Sequence, residues 1–172
     1  MKTEDSAIVL IGFMGAGKSS VGRTLARMTG YLRFDTDEMV AGRFGLTVGE
    51  IFEKHGEDTF REGETEALRE LTGKEGAVIV TGGGIVLRAE NVALLKALGT
   101  IVYLSADEEA LFQRISRRPT RPLLQTPDPR ATLAELLSAR LPLYRDCADV
   151  EVDTSRLTHD EVARRILESV EP

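Results

Sequence analysis

Short apolar runs rich in Val and Ile alternate along this chain with longer stretches in which apolar residues recur every three or four positions. The runs Ala7–Ile11, Leu32–Phe34, Ala77–Val80, Ile101–Leu104 and Val150–Val152 read as strands, and their unbroken apolarity suits a sheet covered on both faces. The stretches Lys18–Met28, Asn91–Leu98, Glu108–Arg117, Leu133–Leu141 and Glu161–Val170 read as amphipathic helices. Alternation of this kind predicts an α/β protein of three layers (α/β/α), with a five-stranded parallel sheet between crossover helices. Ser or Thr followed three residues later by Glu marks helix starts at Thr47/Glu50, Ser105/Glu108 and Thr158/Glu161. In such a pair each side chain accepts the other residue's backbone N–H, which would otherwise go unpaired at the helix end.

Two segments break the alternation. Residues 36 to 70 are helical in pattern yet interrupted by Gly42, Gly45, Gly49, Gly56 and Gly63, and residues 117 to 130 are dense in Pro and Arg. Open α/β sheets carry substrate sites and lids on insertions at the carboxyl ends of strands. The stretch 36–63 is therefore expected to bind substrate and 117–128 to form a lid, both mobile. At 172 residues the chain has room for one sizeable core, and a single domain spanning 1–172 with these insertions is the expectation.

Charge and cysteine usage narrow the class. A formal net charge of −6 supplies no global positive field, which argues against a nucleic-acid partner and leaves anion binding to local arginines. Cys147 is the only cysteine, so no internal disulfide is possible and a reducing compartment is expected. Residues Met1–Ser6 are polar and the apolar run after them is broken by Gly12 and Gly15, unlike a signal peptide. No run approaches the roughly 18 apolar residues that span a membrane. A cytoplasmic monomer without membrane or nucleic-acid partners is the expectation. His55 and His159 have no metal-ligand spacing.

Gly12-Phe-Met-Gly15-Ala-Gly17-Lys18-Ser19 matches G-x-x-x-x-G-K-[ST] and lies between a buried strand and a helix, the setting in which that motif holds phosphate. Its glycines let successive backbone N–H groups turn toward phosphate oxygens, and the helix N-terminus adds partial positive charge there. Lys18 suits the β- and γ-phosphates of a nucleotide and the Ser19 hydroxyl a Mg²⁺ ion. The loop fixes nucleotide binding and leaves the reaction open. No Asn-Lys-x-Asp segment of the kind that reads guanine is present.

The acceptor must be read elsewhere. Asp35 and Asp37 stand two apart where the second strand ends. One carboxylate suits the water shell of a metal and the other a proton leaving an attacking hydroxyl; an N-cap plus a solvated charge is the alternative. Gly82-Gly83-Gly84 follows the third strand, either a plain tight turn or a place where backbone approaches a ligand.

The phosphate loop, Asp35/Asp37, Phe60-Arg61-x-x-Glu64, Gly82–Gly84, Arg121-Pro122-Leu123-Leu124 and Arg140-x-Pro-Leu-Tyr144 together resemble the shikimate kinase family, in that family's order and over nearly the whole chain. The resemblance implies a P-loop kinase fold related to nucleoside-monophosphate kinases. It also implies ATP- and Mg²⁺-dependent phosphorylation of a shikimate hydroxyl to shikimate 3-phosphate, within aromatic amino acid (chorismate) biosynthesis. Position by position, Gly15, Ala16, Gly17, Lys18, Ser19 and Ser20 would hold the ATP phosphates, with Ser19 on Mg²⁺ and Asp35 in or near the metal's second shell. Asp37 would bind the substrate hydroxyls and serve as base. Arg61 and Arg140 would clamp the shikimate carboxylate, and Gly82, Gly83 and Gly84 would approach the substrate through their N–H groups. Arg121 would close with the lid over the transferring phosphate. Asp153–Arg156 resembles the family's adenine-side loop, which makes Arg156 a nucleotide contact, while Leu157 and His159 stand where an arginine and a proline are often found.

Planar guanidinium groups bind a carboxylate with two charge-assisted bonds, so an arginine pair suits a small acid. A gluconate or nucleoside-monophosphate kinase on the same scaffold, and a nucleotide-binding module without catalysis, are the alternatives. Phe44, Phe52 and Phe60 read as core residues of the 36–63 insertion and not as a base pocket.

Overall fold

A computed structural model describes residues 6–118 and 125–170. Five strands, β1 (Ala7–Ile11), β2 (Leu32–Asp35), β3 (Ala77–Val80), β4 (Gly99–Ser105) and β5 (Val150–Asp153), pair in the order β2-β3-β1-β4-β5, every pair parallel. The central strand β1 registers Val9 against Ile79 of β3 and Ile101 of β4, and all five of its residues are buried. That two-sided burial is why the strand carries no polar alternation.

Helices α1 (Lys18–Thr29), α2 (Thr36–Phe44), α3 (Val48–His55), α4 (Glu57–Leu71), α5 (Ala89–Leu98), α6 (Glu108–Ser116), α7 (Pro129–Cys147) and α8 (His159–Val170) complete the layers, with a short 3₁₀ turn at Ile85–Leu87. The sequence pattern places α1, α5, α6 and α8 to within a few residues and leaves 36–70 undivided beyond a helix start at Thr47/Glu50; at two helices the ends differ. Ser105 does not cap α6: it ends β4, pairs with Asp153 and accepts the Thr154 N–H at 2.8 Å. Asp107 takes the cap, accepting from the Ala110 N–H at 2.7 Å. The helix expected over Leu133–Leu141 instead runs from Pro129 to Cys147, capped by Asp128 and passing through Pro142. Thr47/Glu50 forms the reciprocal capping box, as does Thr158/Glu161.

The stretch 36–63 forms α2, α3 and the first half of α4. These helices have a small core of their own, Val40, Ile51, Phe60 and Ala67, separate from the main core on the sheet. Phe44 packs against this cluster, whereas Phe52 is 36% exposed, lying on the Phe60 ring and beside the Arg61 guanidinium. Among the described residues no helix is long and apolar enough to cross a membrane.

Candidate active site

β1 delivers the chain to the phosphate loop where the strand order reverses, with β3 on one side and β4 on the other. Ligand crevices of parallel sheets open at that point. Gly15 and Gly17 adopt φ of 82° and 96°, a left-handed backbone that side chains disfavour, and Gly17 turns the chain directly into α1. Lys18 is folded over its own loop, with Nζ donating to the Gly12 and Phe13 carbonyls at 2.5 and 2.9 Å. A cavity of about 430 Å³ lies over this loop, lined by Gly15 through Ser20 and reached by Asp35, Asp37, Gly82 and Gly83 from the neighbouring strands.

Asp35 takes the N-cap role that stood as the alternative to a metal role. Its Oδ1 caps α2, accepting the N–H groups of Asp37 at 2.9 Å and Glu38 at 3.2 Å. The same residue lines the cavity, with Oδ2 3.6 Å from Arg33 Nη1. Burial raises its pKa, against the two N–H groups and Arg33, which pull it down.

Asp37 reaches from the first turn of α2 to the glycine run. A Cβ at Gly82 would meet Asp37 Oδ1 at 2.5 Å and Glu64 Oε1 at 3.0 Å. At Gly84 it would fall 2.4–2.5 Å from the Arg61 guanidinium, and at Gly83 it would lie 3.5 Å from Arg140 Nη1. The glycines are thus a strip of bare backbone whose missing side chains leave room for four charged ones from α2, α4 and α7. The Gly82 N–H is spent on Thr36 Oγ1 at 3.3 Å, which narrows the expectation that all three glycine N–H groups serve a ligand. Among the described residues, those of Gly83 and Gly84 have no acceptor.

The far end of the cavity is built from α6 and the turn after β5. Arg114 donates to the Gly15 carbonyl at 3.2 Å, to Thr154 Oγ1 at 3.0 Å and to the Thr154 carbonyl at 2.7 Å. Thr154 Oγ1 lies 3.1 Å from the Ala16 carbonyl. Arg117, Arg118, Leu157 and His159 line this end, whereas Arg156 is exposed and outside the lining. Arg121 falls at 119–124, outside the described residues.

Comparison with known proteins decides the family. The family profile "Shikimate kinase" matches residues 14–171. This chain belongs to the shikimate kinase family. A shikimate kinase of Cupriavidus pinatubonensis is 44% identical over 171 residues, covering 99% of this chain and 89% of the relative. One of Thermodesulfovibrio yellowstonii is 46% identical over 164 residues, covering 95% and 94%. A solved shikimate kinase of Acinetobacter baumannii in complex with shikimate superposes with a TM-score of 0.91 at 41% identity, covering 97% of this chain and 93% of that one.

In this shikimate kinase family member Arg61 is held as a fixed cation. Its side chain is 12% exposed, it pairs with Glu64 at 2.8 Å and Glu57 at 3.3 Å, and it lies by the Phe60 ring. Burial would lower its pKa, and the two carboxylates more than offset that. Arg140 rests over the Phe13 ring of the phosphate loop, 5.6 Å from its centroid.

Glu64 and Arg114 were not assigned roles from sequence. Glu64 carried a signal, since it stands three residues after Arg61 on one helix face; Arg114 carried none. Glu64 is fully buried and its Oε1 accepts no hydrogen bond among the described residues. Burial lifts its pKa above the ordinary 4.5, Arg61 opposes the rise, and the Asp37 charge adds to it. A carboxyl raised in the folded state contributes stability that is complete below its unfolded pKa and is lost as pH rises through its folded pKa. The stability advantage of the native chain over Glu64→Gln is therefore expected to shrink as pH rises above about 4.5, read by urea unfolding between about pH 4 and pH 7. An advantage that grows with pH would mean that Glu64 is held ionised by Arg61.

Proposed function

We infer that this protein transfers the γ-phosphoryl group of ATP to a hydroxyl of shikimate, giving ADP and shikimate 3-phosphate. One observation carries the reading to the acceptor: Arg61 and Arg140, from two different helices, converge on adjacent glycines, with Asp37 against the next glycine of the same run. Two guanidinium groups near one bare strip of backbone suit a small carboxylate. An aspartate at the edge of the phosphate-loop cavity suits a hydroxyl that must attack phosphorus.

In this reading the shikimate oxygen bonds to the γ-phosphorus, the bond to the β-phosphate oxygen breaks, and the hydroxyl proton goes to Asp37. Lys18 exchanges its loop carbonyls for phosphate oxygens, and the loop N–H groups neutralise the rest of the charge. Ser19 and Asp35 both line the cavity and would hold Mg²⁺, which keeps much of its water shell and takes phosphate oxygens. Bound there, Mg²⁺ would neutralise phosphate charge. Arg121 is assigned to the lid by the family resemblance, and Arg114 to the nucleotide end by its hydrogen bonds to Gly15 and Thr154. A monomer in the cytoplasm goes with this role.

An ADP-release assay across shikimate, gluconate and nucleoside monophosphates tests the reading, with turnover expected on shikimate alone. Strong turnover on gluconate or a nucleotide would replace it. Arg140→Ala is expected to raise the KM for shikimate by about ten-fold or more, with a smaller effect on kcat, because the clamp acts in the ground state as well as the transition state. An unchanged KM would remove Arg140 from the site.

A further inference from the structure

The tyrosine that closes Arg140-x-Pro-Leu-Tyr144 has no part in the reading above. Tyr144 is fully buried, an unfavourable place for a phenol unless its hydroxyl finds a partner. Its ring stacks on Tyr103 of β4, with centroids 5.0 Å apart and 23° between the planes, so the sheet sets where the hydroxyl points. From there the hydroxyl donates to the Gly83 carbonyl, 61 residues away in sequence. Arg140 stands four positions earlier on the same face of α7, and its Nη1 lies 3.5 Å from where a Cβ at Gly83 would stand. Burial pushes the Tyr144 pKa up to about 12, so the group is a neutral donor at any physiological pH.

The peptide joining Gly83 to Gly84 is planar, and its C=O and N–H point in opposite directions. With the carbonyl turned to α7, the Gly84 N–H faces away from α7, at the residue whose Cβ position abuts Arg61. Two adjacent glycines have more backbone freedom than other pairs, so this peptide keeps one orientation only if something grips it. We propose that Tyr144 is a positioning residue for phosphoryl transfer: its single hydroxyl holds the Gly83 carbonyl toward α7, so that the Gly84 N–H is fixed in the anion-binding face that Arg61 and Arg140 border. The inference rests on shikimate as the acceptor.

Tyr144→Phe removes one oxygen and keeps the ring stack. The expected result is a rise of about five- to ten-fold in the KM for shikimate, with the KM for ATP within about two-fold and the melting temperature within a few degrees. The backbone amide resonances of Gly83 and Gly84 shift in the free protein. Tyr103→Phe, at the other ring of the stack, leaves the KM for shikimate unchanged. A native KM for shikimate in Tyr144→Phe overturns the proposal, as does a KM for ATP that rises in step with it. Should the native protein fail to phosphorylate shikimate, the functional reading falls, and unmoved Gly83 and Gly84 resonances in Tyr144→Phe separately overturn the positioning role.

Discussion

Replacing Asp37 with asparagine is expected to lower kcat for shikimate phosphorylation by about 10²- to 10⁴-fold, with the Kd for ATP within about two-fold of native. Asparagine keeps the shape and a carbonyl acceptor but cannot take the proton that the attacking hydroxyl must lose. The fold gives it little reason to move, because what Asp37 contributes to the α2 N-terminus is its backbone N–H, accepted by Asp35 at 2.9 Å. In the proposed reading the phosphate contacts come from the loop before α1 and not from α2, so nucleotide affinity has no cause to change. Rapid-quench kinetics with a parallel ATP titration reads both quantities. Loss of ATP binding in this variant would mean that Asp37 belongs to the nucleotide site, and a fall in kcat below about ten-fold would leave the reaction without the base assigned to it.

Gly84→Ala is expected to raise the KM for shikimate by about ten- to a hundred-fold while barely changing the melting temperature. The backbone at Gly84, φ −96° and ψ 9°, is open to alanine, so no strain arises there. The added methyl would instead land 2.4–2.5 Å from Nη1, Cζ and Nη2 of Arg61. A guanidinium at the end of a long side chain gives way more easily than a packed turn, so the cost falls on Arg61's position and not on folding. Because the effect runs through Arg61, Gly84→Ala combined with Arg61→Ala should be no worse than Arg61→Ala alone. Additive losses would show that Gly84 acts on its own account.

Much of this fold was legible because its information is local. The period of the apolar residues separates strand from helix, the phosphate loop runs from the end of a strand into the start of a helix, and Thr47/Glu50 and Thr158/Glu161 announce helix starts within four residues of sequence. Misplaced boundaries have non-local causes. Ser105 is drawn into β4 because β5 pairs beside it, and α7 continues through Pro142 because its face, including Tyr144 and Cys147, is buried. A proline that removes one helical N–H is tolerated when packing on either side outweighs the lost bond.

The site divides along the same line. Sequence by itself determined the nucleotide loop, the residue types that an anionic hydroxy acid requires and, through the ordered set of motifs, the family. Tertiary structure alone decided that Asp37 and Glu64 meet at Gly82, that Arg61 and Arg140 reach adjacent glycines, that Thr36 consumes the Gly82 N–H, and that Arg114 and Thr154 tie the phosphate loop to the turn after β5. The partners in these contacts are as much as 138 residues apart. Hydrophobic period and capping preference act over a turn or two of chain, whereas the direction and burial of a charged side chain are set by whichever distant element the sheet brings beside it.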